Sequence, residues 1–291
     1  MLKKCLYILA FTFLLLSAPL RVLASGQSLP QRIISLGPIN TENIFLLGAG
    51  DLLVANTSYC VRPEAAKSKD KIGSVMQIAI EKIIGLQPDL VLATALSRPQ
   101  QLQQLQAAGI RVVQFNQPAS FNDICTQFLE LGKLLGREDK AKQIIARARK
   151  EVDDLQRLTA NLPARKVFLQ VGAEPLFASV PTSFTNDFIL LAGGINIAGK
   201  QTSGITNYEK VIAADPDVII IAMMGSETGI AAKEQQKWMG IPVISAARQG
   251  RIHVISPDLI CSPSPVTFVE TLHTIAALIH PEHSTRILVR K

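Results

Sequence analysis

Residues 80–94 read IEKIIGLQPDLVLAT and residues 208–222 read YEKVIAADPDVIIIA, so one pattern occurs twice in the chain. Each copy begins as a short helix that carries a glutamate, Glu81 or Glu209, at its second position. Each then meets a Pro-Asp pair, and because proline cannot continue a helix, the helix must end there. Each copy finishes in an unbroken aliphatic run, which is typical of a parallel strand buried on both faces.

The surroundings of the two copies also repeat. A strand-like segment precedes each half, at residues 32–36 and 166–171, and glycines follow an apolar helical segment in both halves. Strands that alternate with helices in this way predict parallel βαβ units. We therefore expect two α/β lobes, at residues 30–137 and 164–280, followed by a tail at 281–291.

A single long helix is predicted between the lobes. Residues 139–162 contain neither glycine nor proline, and their apolar residues recur at helical spacing. We assign residues 138–163 to this connector, which would resist large hinge motion better than extended strands.

The first 24 residues are predicted to be a signal peptide. Lys3 and Lys4 precede an apolar run at residues 6–16, and small residues lead to cleavage near Ala24. An uncleaved anchor is the alternative, whereas a lipoprotein is not expected, because Cys5 precedes the apolar run. No second stretch reaches about 18 apolar residues, so the mature protein should be soluble and periplasmic.

Composition and motifs weigh against several functions. The formal net charge is +7, signal-peptide removal would take away three cations, and no basic stripe suggests nucleic-acid binding. No Gly-x-Ser-x-Gly, His-Glu-x-x-His or phosphate-loop motif is present, so no catalytic residues are predicted and an enzyme is the disfavoured alternative. The histidines show no metal-ligand clustering, so neither a metal site nor a resident cofactor is expected. His280 and His283 should be solvated in the tail.

An ordered set of segments resembles a known family. The segments are RIISLGPINTENIFLLGAG (32–50), GLQPDLVLAT (85–94), AAGIRVV (107–113), KVFLQVG (166–172), LAGGINIA (191–198) and ADPDVIIIA (214–222). They are similar to the periplasmic iron-chelate and cobalamin-binding proteins of ABC importers. The resemblance implies two Rossmann-like lobes with parallel sheets, joined by one long α-helix, with a ligand cleft between them.

The same resemblance implies a function and a partner. A monomer would capture a ferric siderophore, a cobalamin or other corrinoid, or haem, and deliver it to a permease dimer in the inner membrane. Glu81 and Glu209 match the glutamates that dock each lobe onto the permease. Their alternative role is that of first-turn acids that favour the helix dipole. A ligand-binding sensor of the same fold is a second alternative for the whole chain.

Candidate ligand contacts lie on loops that follow the strands, where open α/β sheets bind ligands. They are Pro38, Asn40, Thr41, Tyr59, Arg62, Thr94 and Arg98 in the first lobe, and Glu174, Phe177 and Thr182 in the second. Tyr59 matches a ligand-contacting tyrosine of cobalamin-binding relatives, with a half-buried loop aromatic as the alternative. For Phe177, packing in the core is the favoured alternative. The arginines suit ligand carboxylates. The tryptophans of those relatives are replaced here by Val75, Thr94 and a residue near Ile205.

One disulfide is expected in an oxidising compartment. Cys125 lies in the apolar run 121–135 and should be buried in a helix. This leaves Cys60 and Cys261, both placed on cleft loops by the resemblance, as the candidate pair.

Overall fold

A computed structural model describes residues 28–223, 229–261 and 263–289. The predicted signal peptide lies outside these ranges. None of the helices within them has the length and hydropathy that a membrane crossing requires.

The first lobe is a five-stranded parallel sheet with helices on its faces. The strands run in the order β3-β2-β1-β4-β5, and every neighbouring pair is parallel. They are β1 (Ile33–Ser35), β2 (Leu53–Asn56), β3 (Asp70–Lys71), β4 (Leu90–Thr94) and β5 (Val112–Phe115). The helices are α1 (Pro38–Leu46), α2 (Ile80–Gly85), α3 (Pro99–Ala107) and α4 (Phe121–Leu134), with 3₁₀ turns at Gly50–Leu52 and Glu64–Ala66.

Helix α5 (Glu138–Thr159) follows as a 22-residue connector. Its buried stripe packs against α4 on one side and against a helix of the second lobe on the other. The stripe consists of Ala141, Ile145, Ala148, Val152, Leu155 and Thr159.

The second lobe is also built on a five-stranded sheet. Its strands are β6 (Lys166–Ala173), β7 (Leu176–Ala178), β8 (Ile195–Asn196), β9 (Val218–Ile221) and β10 (Ile252–Val254). Its helices are α6 (Thr185–Leu191), α7 (Tyr208–Ala214), α8 (Ile230–Met239), α9 (Ser245–Arg248), α10 (Pro257–Ile260), α11 (Pro265–Ile279) and α12 (Ser284–Leu288), with a 3₁₀ turn at Pro281–His283. Two α/β lobes are thus confirmed. This sheet is not wholly parallel, because a tight turn after β6 returns the chain as the antiparallel strand β7.

The repeated Pro-Asp motif fastens each sheet in the same way. The Asp89 carboxylate accepts a hydrogen bond from the Arg32 amide at 3.1 Å, just before β1. The Asp217 carboxylate accepts one from the Lys166 amide at 2.8 Å, at the start of β6. Each backbone amide needs a hydrogen-bond acceptor, and here the motif supplies one for an amide at the start of a central strand of each sheet. The sequence repeat therefore encodes a structural fastening in both lobes.

One hydrophobic core runs through both lobes. Ile33 and Leu92 of the first sheet belong to the same buried cluster as Val167 and Ile220 of the second. The cluster is continuous because the stripe of α5 and helix α11 lie between the sheets. Continuous packing of this kind joins the lobes more firmly than a covalent linker alone.

Three stacked rings form the centre of this junction. Phe268 of α11 lies 4.6 Å from Phe121 of α4 and 4.3 Å from Phe188 of α6, measured between ring centroids. Beside the stack, the Phe121 amide donates a 2.7 Å hydrogen bond to the Asp187 carboxylate. Burial raises the pKa of Asp187. The contacts cross from the first lobe to the second, so they resist separation of the lobes.

The expectation that His280 is solvated is wrong. Its side chain is fully buried, and Nε2 lies 3.0 Å from the carbonyl oxygen of Ala192, at the end of α6. The remaining ring nitrogen, Nδ1, is buried without a hydrogen-bond partner among the described residues. Burial lowers the pKa of His280, so the neutral ring is the stable form in the fold.

Candidate ligand-binding cleft

The carboxyl ends of the two sheets meet at one region of the molecule. Helix α1 follows β1, and its Glu42 carboxylate accepts a 2.7 Å hydrogen bond from the Ser264 hydroxyl, which lies beyond β10. Loops from both lobes therefore border the same space. Such a space between α/β lobes, outside the carboxyl ends of the strands, is where small ligands bind in proteins of this architecture.

Large apolar side chains are exposed on these loops. Isolated exposed apolar residues are ordinary, but several on converging loops form a surface suited to an apolar ligand face. On the first lobe they are Tyr59, Val61, Met76 and Leu96; on the second they are Phe177 and Ile205.

Phe177 and Ile205 form the second lobe's part of this surface. The segment around Ile205 pairs with β7 as a short antiparallel bridge, and the Thr206 amide donates to the Leu176 carbonyl. Gly204 makes the pairing possible, because a Cβ atom there would lie 2.1 Å from the Phe177 ring. Phe177 remains 38% exposed and Ile205 58% exposed.

Tyr59 lies on a loop whose shape is set by a lysine. The Lys71 ammonium donates to the Asn56 side-chain oxygen at 2.6 Å and to the carbonyl oxygens of Ala66 and Cys60 at 3.1 and 3.4 Å. These bonds hold the loop at three points. The Tyr59 side chain is left 61% exposed, so the half-buried alternative does not describe it.

The structure gives Arg62 a partner that sequence analysis missed. Its guanidinium lies 3.1 Å from the Glu42 carboxylate, whose side chain is only 10% exposed. The other Glu42 oxygen accepts from Ser264 and, at 3.2 Å, from Thr267. A carboxylate on a helix with an apolar flank is a signal in the sequence that could have marked Glu42 as a site residue. Its partners could not be predicted in this way, because they are 20 or more residues away in the sequence.

Asn40 and Thr41 are not available at the cleft surface. The Asn40 amide donates to the Ala93 carbonyl at 3.0 Å, and the Thr41 hydroxyl donates to Ser35 Oγ at 2.8 Å. Both side chains are buried, so the prediction that they contact ligand is not met. They hold α1 against the ends of β1 and β4 instead.

The other predicted contacts are more accessible. Pro38 and Thr94 are half-buried, and Thr94 packs against Gly37, where a Cβ would lie 2.5 Å from its methyl group. Arg98, Glu174 and Thr182 are exposed. Within the described residues, no group of three or more His, Cys, Asp or Glu side chains is arranged to hold a metal ion.

The predicted disulfide between Cys60 and Cys261 is wrong. The structure contains no such bond. Cys60 is fully buried inside the first lobe, with its sulfur 3.2 Å from Thr57 Oγ1, whereas Cys261 packs against the shared core. Cys125 is buried in α4 as expected, and burial raises the pKa of its thiol to about 11.

Glu81 and Glu209 occupy equivalent, exposed positions. Each lies in the first turn of a short helix, α2 or α7, that leads through a tight turn into a parallel strand, β4 or β9. The helix must therefore run opposite to the strand, and its amino terminus lies at the carboxyl edge of the sheet. Both glutamates thus lie on the side of the molecule that carries the cleft.

The helix that carries Glu209 is anchored by a polar cluster. The Tyr208 hydroxyl donates a 2.5 Å hydrogen bond to the Glu234 carboxylate, which also accepts from Lys237 at 2.6 Å and Gln170 at 2.9 Å. Burial, with Glu234 nearby, raises the pKa of Tyr208 to about 12. Although burial opposes it, the hydrogen bonds from Lys237, Tyr208 and Gln170 hold the pKa of Glu234 below its ordinary value.

Comparison with known proteins defines the class. The family model described as periplasmic binding protein matches residues 33–259, and the chain belongs to this family. A curated relative from Bacillus subtilis, the uncharacterized ABC transporter substrate-binding lipoprotein YvrC, is 30% identical over 87% of this chain and 81% of its own length. The vitamin B12-binding protein of Yersinia pseudotuberculosis is 31% identical over 74% of this chain and 78% of its own length.

Solved structures agree with this assignment. The periplasmic haem-binding protein RhuT from Roseiflexus is 25% identical, with a TM-score of 0.75 over 86% of this chain and 98% of that one. A periplasmic haem-binding protein from Pseudomonas aeruginosa is 26% identical, with a TM-score of 0.73 over 87% of this chain and 94% of that one. The fold expected from the resemblance is thereby confirmed.

Proposed function

We propose that this chain is the substrate-binding component of an ABC importer and that it captures a metal chelate in the cleft between its lobes. The observation that carries the proposal is the set of exposed apolar side chains on facing loops of two lobes that share one core. Relatives named as vitamin B12-binding and haem-binding proteins support a chelate as the ligand. A ferric siderophore, a corrinoid and haem all belong to this ligand class.

Tyr59 and Phe177 are the principal contacts in this proposal. Aromatic rings supply large apolar contact area with little loss of side-chain entropy, and both rings are already exposed on opposite lobes. Ile205 and Leu96 extend the same surfaces. Pro38 and Thr94 line the base, and Arg98, Glu174 and Thr182 supply polar groups at the rim.

The mature chain is proposed to act in the periplasm as a monomeric carrier without catalytic activity. The leader sequence and the family of transport binding proteins support export. The ligand would be bound and released unchanged, so no resident cofactor is needed. Since the lobes share a core, the cleft would be largely preformed, and a preformed site loses little entropy on binding.

Delivery would use Glu81 and Glu209 as the contacts with a permease dimer. Two exposed carboxylates on pseudo-equivalent helices present like charges at two points of one face. Such a pair can steer docking and set the orientation of the complex on a two-fold symmetric partner.

The first test is titration of the purified mature protein with cyanocobalamin, haemin and ferric siderophores, followed by absorbance and tryptophan fluorescence. Saturable binding to at least one chelate supports the proposal. Binding of none of them contradicts it.

The second test addresses docking. Glu81→Lys combined with Glu209→Lys should abolish chelate uptake into proteoliposomes that contain the cognate permease, while chelate affinity stays within about twofold, because neither glutamate lies in the cleft. Asp51→Lys with Asp153→Lys, two exposed acids elsewhere on the surface, is the matched control and should leave uptake intact. Unchanged uptake in the first double variant would remove the docking role.

A further inference from the structure

The two lobes contribute different charges to the cleft, and its arginines come from the first lobe. Five segments follow the strands of this lobe, at residues 36–40, 57–63, 73–79, 94–98 and 116–120. The cationic side chains that these segments contain are Arg62 and Arg98. Arg98 is exposed at the start of α3. Arg62 lies on the same loop as the exposed Tyr59.

The second lobe supplies an acid instead. Its described cleft-side segments are residues 172–182, 204–206, 255–261 and 263–264, and the sequence of these segments contains no lysine or arginine. Glu174 in the first of them is exposed. An anionic ligand would therefore meet no positive side chain from these segments.

Within the first lobe, the Glu42 carboxylate compensates the positive charge of Arg62. The ion pair is 3.1 Å long, and the Glu42 carboxylate is held in place by Ser264 and Thr267 at the amino terminus of α11. Helix α11 has 15 residues, and its dipole favours a carboxylate at this end. A ligand carboxylate would have to displace a partner that is already bonded on both oxygens.

We infer that the ligand of this cleft is an uncharged or cationic metal chelate with an apolar face, and that Glu42 sets this preference by neutralising Arg62. The inference rests on the proposed function and narrows its ligand class. An anionic chelate would lose its hydration on entry and would find only the exposed Arg98 of the first lobe to compensate its charge, which is unfavourable. An uncharged chelate would lose little hydration and would cover the exposed Tyr59 and Phe177 rings.

The experiment compares probes of different charge on one protein. The mature chain is titrated with cyanocobalamin, an uncharged ferric trihydroxamate and a trianionic ferric tris-catecholate. The expected result is that an uncharged probe binds at least about tenfold more tightly than the trianion. Equal or tighter binding of the trianion would overturn the inference while leaving the proposed function in place. Binding of no probe would overturn both.

A variant tests the assigned cause. Glu42→Gln keeps the shape of the side chain but leaves the Arg62 charge uncompensated, so the affinity for the trianion should rise by about tenfold. Ser264→Ala is the matched control, because it removes a hydrogen bond to Glu42 and leaves the ion pair; the preference for uncharged probes should persist. No gain of trianion affinity in a folded Glu42→Gln protein would overturn the role of Glu42. The wild-type comparison decides the ligand class even if that variant does not fold.

Discussion

Replacement of Phe268 by alanine tests the shared core of the two lobes. The Phe268 ring is fully buried and stacks on Phe121 and Phe188 at centroid distances of 4.6 and 4.3 Å. Truncation of a buried phenylalanine lowers the free energy of unfolding by about 3–5 kcal/mol. Each aromatic pair adds roughly 0.5–1.5 kcal/mol beyond its buried area, so the upper part of that range, about 4–5 kcal/mol, is expected.

Urea unfolding of the mature protein at 25 °C measures this change. Linear extrapolation gives the free energy of unfolding, and a shared core predicts one cooperative transition for both lobes. Phe177→Ala is the matched control: this ring is 38% exposed, and its loss should lower stability by only about 1–2 kcal/mol. A Phe268→Ala effect no larger than that of the control would refute the reasoning. So would two separate transitions of which only one is shifted.

Three further results are expected. Denatured, unreduced mature protein should titrate as three thiols, because Cys60, Cys125 and Cys261 are unbridged in the described part of the chain, and a count of one would show a bridge. In the native protein at pH 8, Cys125 should resist iodoacetamide, since burial raises its pKa to about 11. Because burial lowers the pKa of His280 below 6.5, its protonation favours the unfolded chain, and stability should fall as the pH drops below about 6.5. Urea titrations at pH 7.5 and 5.5 give the free energy of unfolding at each pH, and its decrease between the two should be smaller for His280→Gln than for wild type. An equal decrease would assign the pH dependence to other groups. X-ray scattering should show only slight compaction on chelate binding, since α5 and the shared core resist hinge motion; a large compaction would contradict a rigid junction.

Glu42 belongs both to the cleft, through Arg62, and to the junction between the lobes, through Ser264 and Thr267. Its helix belongs to the first lobe, while Ser264 and Thr267 belong to the second. Arg62 ties the loop of Tyr59 to the same carboxylate. A change at Glu42 should therefore alter ligand selectivity and lobe packing together, which is why the control at Ser264 is needed to separate the two effects.

The resemblance located several site residues on the correct side of the molecule but did not reveal their surroundings. Tyr59 and Arg98 are exposed as their loop positions suggested, and Phe177 is exposed although packing in the core was the favoured expectation. Asn40 and Thr41 stand in the same kind of position, yet they are buried because the ends of β1 and β4 need their hydrogen bonds. Position after a strand predicts the edge of the sheet on which a residue lies, but it does not predict which groups compete for its side chain.

The sequence by itself determined the two lobes, the long helix between them and the end of each short helix at a Pro-Asp pair. These features depend on local periodicity and on proline, which act over a few residues, and on a pattern that occurs twice. The hydrogen bonds by which Asp89 and Asp217 fasten the sheets join residues more than 50 positions apart, and the structure revealed them. Only the tertiary structure decided that Arg62 is neutralised by Glu42, that His280 is buried against Ala192 and that Cys60 and Cys261 are not bridged. Each of these depends on distances of a few ångströms between groups far apart in the chain. Such distances are set when the core packs, and no local pattern records them.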